Sequence, residues 1–143
     1  MKASKVSKNF VIQEFVTPKM YKDLGDKAII LIDERIIQLA QYVRDRFKKP
    51  VTVNNWYYGG EYKYRGVRPY NCKVGAKYSQ HKSGRAFDFT IEGISIKELH
   101  QDINKNQKEY YANHLRAVES IHKADTWMHF DVRFSNLNDI FWF

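Results

Sequence analysis

The stretch Ser79-Gln80-His81-Lys82-Ser83-Gly84-Arg85-Ala86-Phe87-Asp88-Phe89 decides the fold. It sets a histidine at the entry to a tight, glycine-containing turn, and an aspartate inside the short strand, Arg85 to Thr90, that leaves it. A metal site needs ligands from separate backbone segments meeting at one point, and a turn running into a strand brings two such residues together. Side chains alternate along a strand, so Ala86 shares the face of Asp88 and is small enough to leave room for an ion. Phe87 and Phe89 then point the other way, into the core.

Downstream, Trp127-Met128-His129-Phe130-Asp131-Val132-Arg133-Phe134 alternates strictly. Met128, Phe130, Val132 and Phe134 share one face, and Trp127, His129, Asp131 and Arg133 share the other. His129, on the polar face, is the candidate for a third ligand; two histidines and one aspartate suit a catalytic zinc with its fourth position left for water. Leu115 to Ile121 pairs with this strand as a hairpin. A turn centred near Ala124 places Glu119 directly opposite His129. The other histidines, His100, His114 and His122, show no partner pattern and are expected at the surface.

Upstream, Asn55 to Gly75 is aromatic, glycine-containing and without periodicity, the kind of long loop that carries function in a small domain. Val51 to Asn54 reads as a short strand. Before it, Ile29, Ile32, Ile36, Leu39, Val43 and Phe47 recur at steps of three and four. They predict an amphipathic helix over 27–48, capped by Asp26 and ended by Lys48, Lys49 and Pro50. Asn9 to Thr17 is a short apolar docking segment that Pro18 is expected to stop. A further helix spans Ser95 to about Asn113, with a break within Asn104 to Gln107.

The chain has 143 residues, enough for one domain over 1–143 with a real core. Hydrophobic residues make up 43% and aromatics 15%, which excludes disordered and collagen-like classes. A single cysteine, Cys72, rules out an intramolecular disulfide and confines any metal site to histidines and carboxylates. Lys and Arg number 24 against 16 Asp and Glu, a net charge of +8 that favours anionic surroundings: nucleic acid, wall polymer or membrane surface. No nucleic-acid motif accompanies the charge, so no stable nucleic-acid complex is expected. No run reaches transmembrane length, so no membrane insertion is expected, and the basic N-terminus lacks the apolar segment of a signal peptide. Synthesis and folding in a cytoplasm follow as the expectation.

Ser79-x-His81-x-x-Gly84-x-Ala86-x-Asp88 resembles the S-x-H-x-x-G-x-A-x-D signature of the M15 metallopeptidases, the D-alanyl-D-alanine carboxypeptidases and dipeptidases and the related phage endolysins. Trp127-x-His129-x-Asp131 is similar to the closing segment of the same group, and Asn9 to Phe15 to the start of its small members. The resemblance implies an α+β fold of the Hedgehog/D-Ala metallopeptidase kind, a central antiparallel sheet packed against helices. It implies zinc (Zn2+) held by His81, Asp88 and His129, with a glutamate as general base. In many members that glutamate lies three residues before the last ligand, where this chain has Thr126. Two carboxylates can substitute: Glu119, favoured by the hairpin geometry, and Asp125, near the turn and shorter in reach. Arg65 and Arg68 fall where the family carries a substrate-side arginine, with Ser79 a further substrate-side candidate. Asp131 is expected to orient a ligand.

The implied activity is zinc-assisted hydrolysis of amide bonds in peptidoglycan stem peptides or cross-links by an endolysin or virion-associated lysin, released through a holin or carried in a particle. Anionic wall polymers are expected to attract the positive charge. The alternative is an M15-fold virion component, with virion partners, that has lost catalysis; the threonine at position 126 is its main support.

Overall fold

A computed structural model of the chain describes residues 2–143. At the N-terminus Phe10, Ile12, Phe15 and Val16 are buried around a 3₁₀ turn, Ile12–Glu14. Pro18 does not stop regular structure there; it opens helix α1 (Pro18–Leu24), because a proline at the first helical position gives up an N–H that has no partner anyway. Thr17 caps this helix by accepting the Met20 N–H at 3.2 Å.

The periodic stretch divides in two, unlike the single helix over 27–48 that the spacing predicts. Gly25–Leu31 is a 3₁₀ run, and helix α2 (Glu34–Phe47) begins after an extended Ile32, with Asp33 rather than Asp26 as its cap. The reason lies in the long-range partner of the cap residue. The Asp33 N–H donates to the Gly84 carbonyl at 3.0 Å, so the chain leaves helical geometry there to bond the turn of the His81 motif. Ile36, Leu39 and Val43 are fully buried, whereas Ile29 lies outside the stripe and is 40% exposed.

The sheet has five strands, β1 (Val51–Thr52), β2 (Ala86–Ile91), β3 (Ala117–Val118), β4 (Met128–Asp131) and β5 (Phe141–Trp142). Their order is β1-β2-β4-β3-β5, antiparallel throughout except that the edge strand β5 runs parallel to β3. Helices α3 (Ile96–Lys105) and α4 (Gln107–Ala112) follow β2, the break falling at Asn106 as the sequence suggests. The architecture is α+β, as expected.

The two faces of the central strands differ in chemistry. Phe87, Phe89, Met128 and Phe130 are all fully buried and interlock, with ring centroids 4.8 Å apart for Phe89 and Phe130. Burial of each such side chain stabilises by about 1.5–3 kcal/mol, and together with α2, α3 and Tyr110 they form one core. The opposite face carries Ala86, Asp88, His129 and Asp131, set by the pairs Ala86↔Asp131 and Asp88↔His129. Phe134 departs from the predicted alternation and is 89% exposed, because the ladder ends at Asp131 and Arg133 folds back onto that carboxylate. Among the described residues no helix is long and apolar enough to cross a membrane.

Candidate metal centre

His81 sits in a 3₁₀ turn, Gln80–Ser83, whose first N–H groups need a partner. Ser79 supplies one, its hydroxyl accepting the His81 N–H at 3.2 Å. Gly84 closes the turn at φ +71°, and a Cβ there would stand 2.0 Å from the Leu31 carbonyl oxygen, so both conformation and space demand glycine. The strand then carries Asp88 into the sheet, directly across from His129 on β4.

This arrangement brings His81, Asp88 and His129 together, with one ligand atom from each lying within 4.8 Å of the others. All three are buried. Asp88 Oδ1 stands 3.2 Å from His81 Nε2 and 2.9 Å from His129 Nδ1. The remaining ring nitrogens are engaged from behind. His81 Nδ1 donates to the Gly66 carbonyl at 2.8 Å, and His129 Nε2 donates to Asp131 Oδ2 at 2.9 Å. Those two bonds fix the outward nitrogens as donors, so the inner nitrogens and one carboxylate oxygen face a common point, where His129 Nδ1 either holds a proton toward Asp88 or, with that proton released, offers a lone pair to an ion. Such a set is stable only with positive charge between its members.

The electrostatics agree. Burial disfavours the charged form of His129, yet its hydrogen bonds to Asp131 and Asp88 outweigh this and push its pKa up to about 9. Burial likewise acts to raise Asp88, and the bonds from His129 and His81 overcome it, holding the carboxyl well below its usual range. A cluster that draws a proton this strongly has the donor set of a divalent-metal site, nitrogen and oxygen ligands fixed by partners behind them, so the residues present fit a zinc ion.

Around this point lies a cleft of about 510 Å3 lined in part by Arg68, Ser79, Glu119, Trp127, Arg133 and Phe143. A larger surface groove of about 680 Å3 between the N-terminal segment, α2 and α4 carries none of these groups. The β3–β4 register, Ala117↔Asp131 and Val118↔Phe130, extended by one residue sets Glu119 opposite His129, the placement that a turn near Ala124 predicts. Asp125 is exposed and outside the cleft lining. Arg68 is only 8% exposed; its Nε donates to the Tyr64 carbonyl at 2.7 Å and one terminal nitrogen reaches Asp88 Oδ2 at 3.2 Å. Arg65 does not line the cleft; its guanidinium lies 3.5 Å over the Tyr62 ring, and its carbonyl accepts the Asp88 N–H at 2.7 Å. Asp131, fully buried, is gripped by both Arg133 Nε and Nη2 at 2.8 and 2.6 Å.

Several contributors escape a reading of the sequence. Gly66 orients His81 through its carbonyl, and a Cβ at Gly66 would meet the Phe15 carbonyl oxygen at 2.3 Å. The signal for it was a lone glycine between two arginines in an aperiodic loop. His100, expected at the surface, is buried against Trp142 with ring centroids 5.4 Å apart, because α3 packs under β5 and no local pattern announces that contact. His114 is half-buried and His122 exposed.

No curated protein and no solved structure matches the chain. A sequence model described as Peptidase M15 matches residues 8–131. That span runs from the buried N-terminal segment through β4 and contains His81, Asp88 and His129, so the chain belongs to the peptidase M15 family.

Proposed function

We propose that this peptidase family member is a zinc enzyme that hydrolyses amide bonds in peptidoglycan stem peptides or cross-links, as an endolysin or virion-associated lysin. The observation that carries the reading is the convergence of His81 Nε2, Asp88 Oδ1 and His129 Nδ1 on one buried point beside the cleft. Zinc held there supplies Lewis acidity and acidifies a water to a pKa of about 7.

The chain's own residues divide the remaining work. Glu119, half-buried on the cleft wall opposite His129, accepts the proton of the attacking water and passes it to the leaving amine. Arg68 keeps Asp88 in place with one arm of its guanidinium, and its remaining nitrogen lies beside Gly75 in the cleft wall, suited to a substrate carbonyl or free carboxylate. Burial pulls the Arg68 pKa down and its neighbours Asp88, Cys72 and Glu119 act the other way, so the guanidinium keeps its proton. Ser79 serves the site by capping the His81 turn, and Asp131 by receiving the His129 N–H. The +8 charge draws the protein toward anionic wall polymer in a salt-sensitive way.

The test is release of new amino groups from purified peptidoglycan by zinc-loaded wild type, Glu119→Ala and Asp125→Ala. Release by wild type and Asp125→Ala but not by Glu119→Ala supports the assignment. Absence of release by wild type across several wall chemotypes leaves a binding or structural role and refutes the enzyme reading. Loss in Asp125→Ala with activity kept in Glu119→Ala would transfer the base to Asp125.

A further inference from the structure

The His129 ring is buried, with Nε2 held by Asp131 of its own strand and one side against the His81 ring, centroids 5.1 Å apart. What covers one flank comes from outside the family-matched residues 8–131. The Phe143 ring stands edge-on to the His129 imidazole, 5.5 Å between centroids at 85°. It stacks on Phe141 at 6.0 Å, and the Arg133 guanidinium lies over both rings, 4.8 Å from Phe143 and 5.6 Å from Phe141. Arg133 in turn holds both oxygens of Asp131, whose Oδ2 takes the His129 N–H. Phe143 therefore meets His129 twice, once directly and once through Arg133 and Asp131.

The backbone of Phe143 is fixed as firmly as its ring. Its N–H donates to the Val118 carbonyl at 3.1 Å and its carbonyl accepts the Ser120 N–H at 2.7 Å, bracketing Glu119 between two hydrogen bonds. The adjacent Trp142 packs against the core instead, its ring on His100.

We propose that Phe143 is a positioning residue of the metal centre, holding the His129 imidazole in the orientation that presents Nδ1 to His81 and Asp88. This rests on the metal-site reading above. Partners that orient a metal-bound histidine usually contribute ten- to a hundredfold in metal affinity. An aromatic flank acting partly through a relay belongs at the lower end of that range.

The experiment measures zinc affinity by chelator competition, together with the visible spectrum of the cobalt(II)-substituted protein and the melting temperature of the metal-free form. Phe143→Ala is expected to weaken zinc roughly tenfold and to alter the cobalt bands, with the metal-free melting temperature little changed. Phe143→Leu, which keeps apolar volume but offers Arg133 no π face, weakens zinc less, and Phe143→Trp restores it. Trp142→Ala is expected to do the reverse, lowering the melting temperature while zinc affinity of the folded protein holds. Equal zinc affinity in wild type, Phe143→Ala and Phe143→Leu overturns the proposal while leaving the metal site intact. Equal weakening by Trp142→Ala and Phe143→Ala also overturns it, since general loosening would then explain both. If wild type itself binds zinc no better than His81→Ala, the metal-site reading fails and this proposal falls with it.

Discussion

Replacing Glu14 by glutamine removes a buried carboxyl whose pH behaviour is large enough to measure. Glu14 is 9% exposed, and burial raises its pKa from 4.5 to about 7, only partly countered by the Val11 N–H that it accepts at 2.8 Å. A folded-state pKa above the unfolded one means that the native protein binds this proton more tightly. The associated stability is fully present below about pH 4.5 and is lost as pH rises through about 7. A gap of about 2.5 pH units at ~1.4 kcal/mol each gives an upper limit of about 3 kcal/mol. Relaxation around the charge brings the expected loss to about 1–3 kcal/mol. Glutamine keeps the shape and an oxygen for the Val11 N–H but does not titrate. Urea denaturation of both proteins from pH 4.5 to 8.5 gives the difference curve, in which distant titrating groups largely cancel. The stability of Glu14→Gln relative to wild type should climb by about 1–3 kcal/mol across that range, most steeply between pH 5 and 7. A difference independent of pH would show that Glu14 titrates as a solvated carboxyl and would refute the reasoning.

Gly84→Ala should destabilise by about 3 kcal/mol or more, read as a fall in denaturation midpoint, because the new Cβ must both accept a positive φ and displace the Leu31 carbonyl. Glu119→Gln should retain stoichiometric zinc in elemental analysis while amide hydrolysis falls by roughly 10²–10⁴; unchanged hydrolysis would remove Glu119 from the mechanism. His81→Ala should abolish stoichiometric zinc, and full retention would overturn its place in the ligand set. Arg46→Gln, which breaks the bonds of 2.7 and 3.0 Å to Asp102 on α3 and the 2.8 Å bond to Glu109 on α4, should lower stability by about 1–3 kcal/mol, read as a fall in denaturation midpoint, since the bidentate pair is mostly buried and Asp102 loses its charged partner.

The site was more legible in the sequence than the elements around it. Asp88 and His129 could be placed on one sheet face because alternation is a local rule, and the equal distances of Glu119 and His129 from Ala124 anticipated the register of β3 on β4. The end of helix α2 was readable from Lys48 and Pro50. Its start was not, since the break at Ile32 and Asp33 answers to a hydrogen bond with Gly84, fifty-one residues away. The same holds for His100, buried by β5, and for Gly66, whose role depends on Phe15 on one side and His81 on the other. Arg68 and Arg65 look alike in the loop, and only the path of the chain sends one to Asp88 and the other onto Tyr62. Contacts that local periodicity encodes were visible; contacts made by the closing of long loops were not.

The pairing of Asp88 with His129 across two strands ties the history of the molecule to its chemistry. His81 and Asp88 can approach each other as soon as their turn and strand form, yet forty residues must still be added before His129 exists. The centre comes into being only when β4 docks beside β2, so a chain caught partway through synthesis has no place to keep the ion. A bound ion would then favour the state in which β4 is docked beside β2, by mass action.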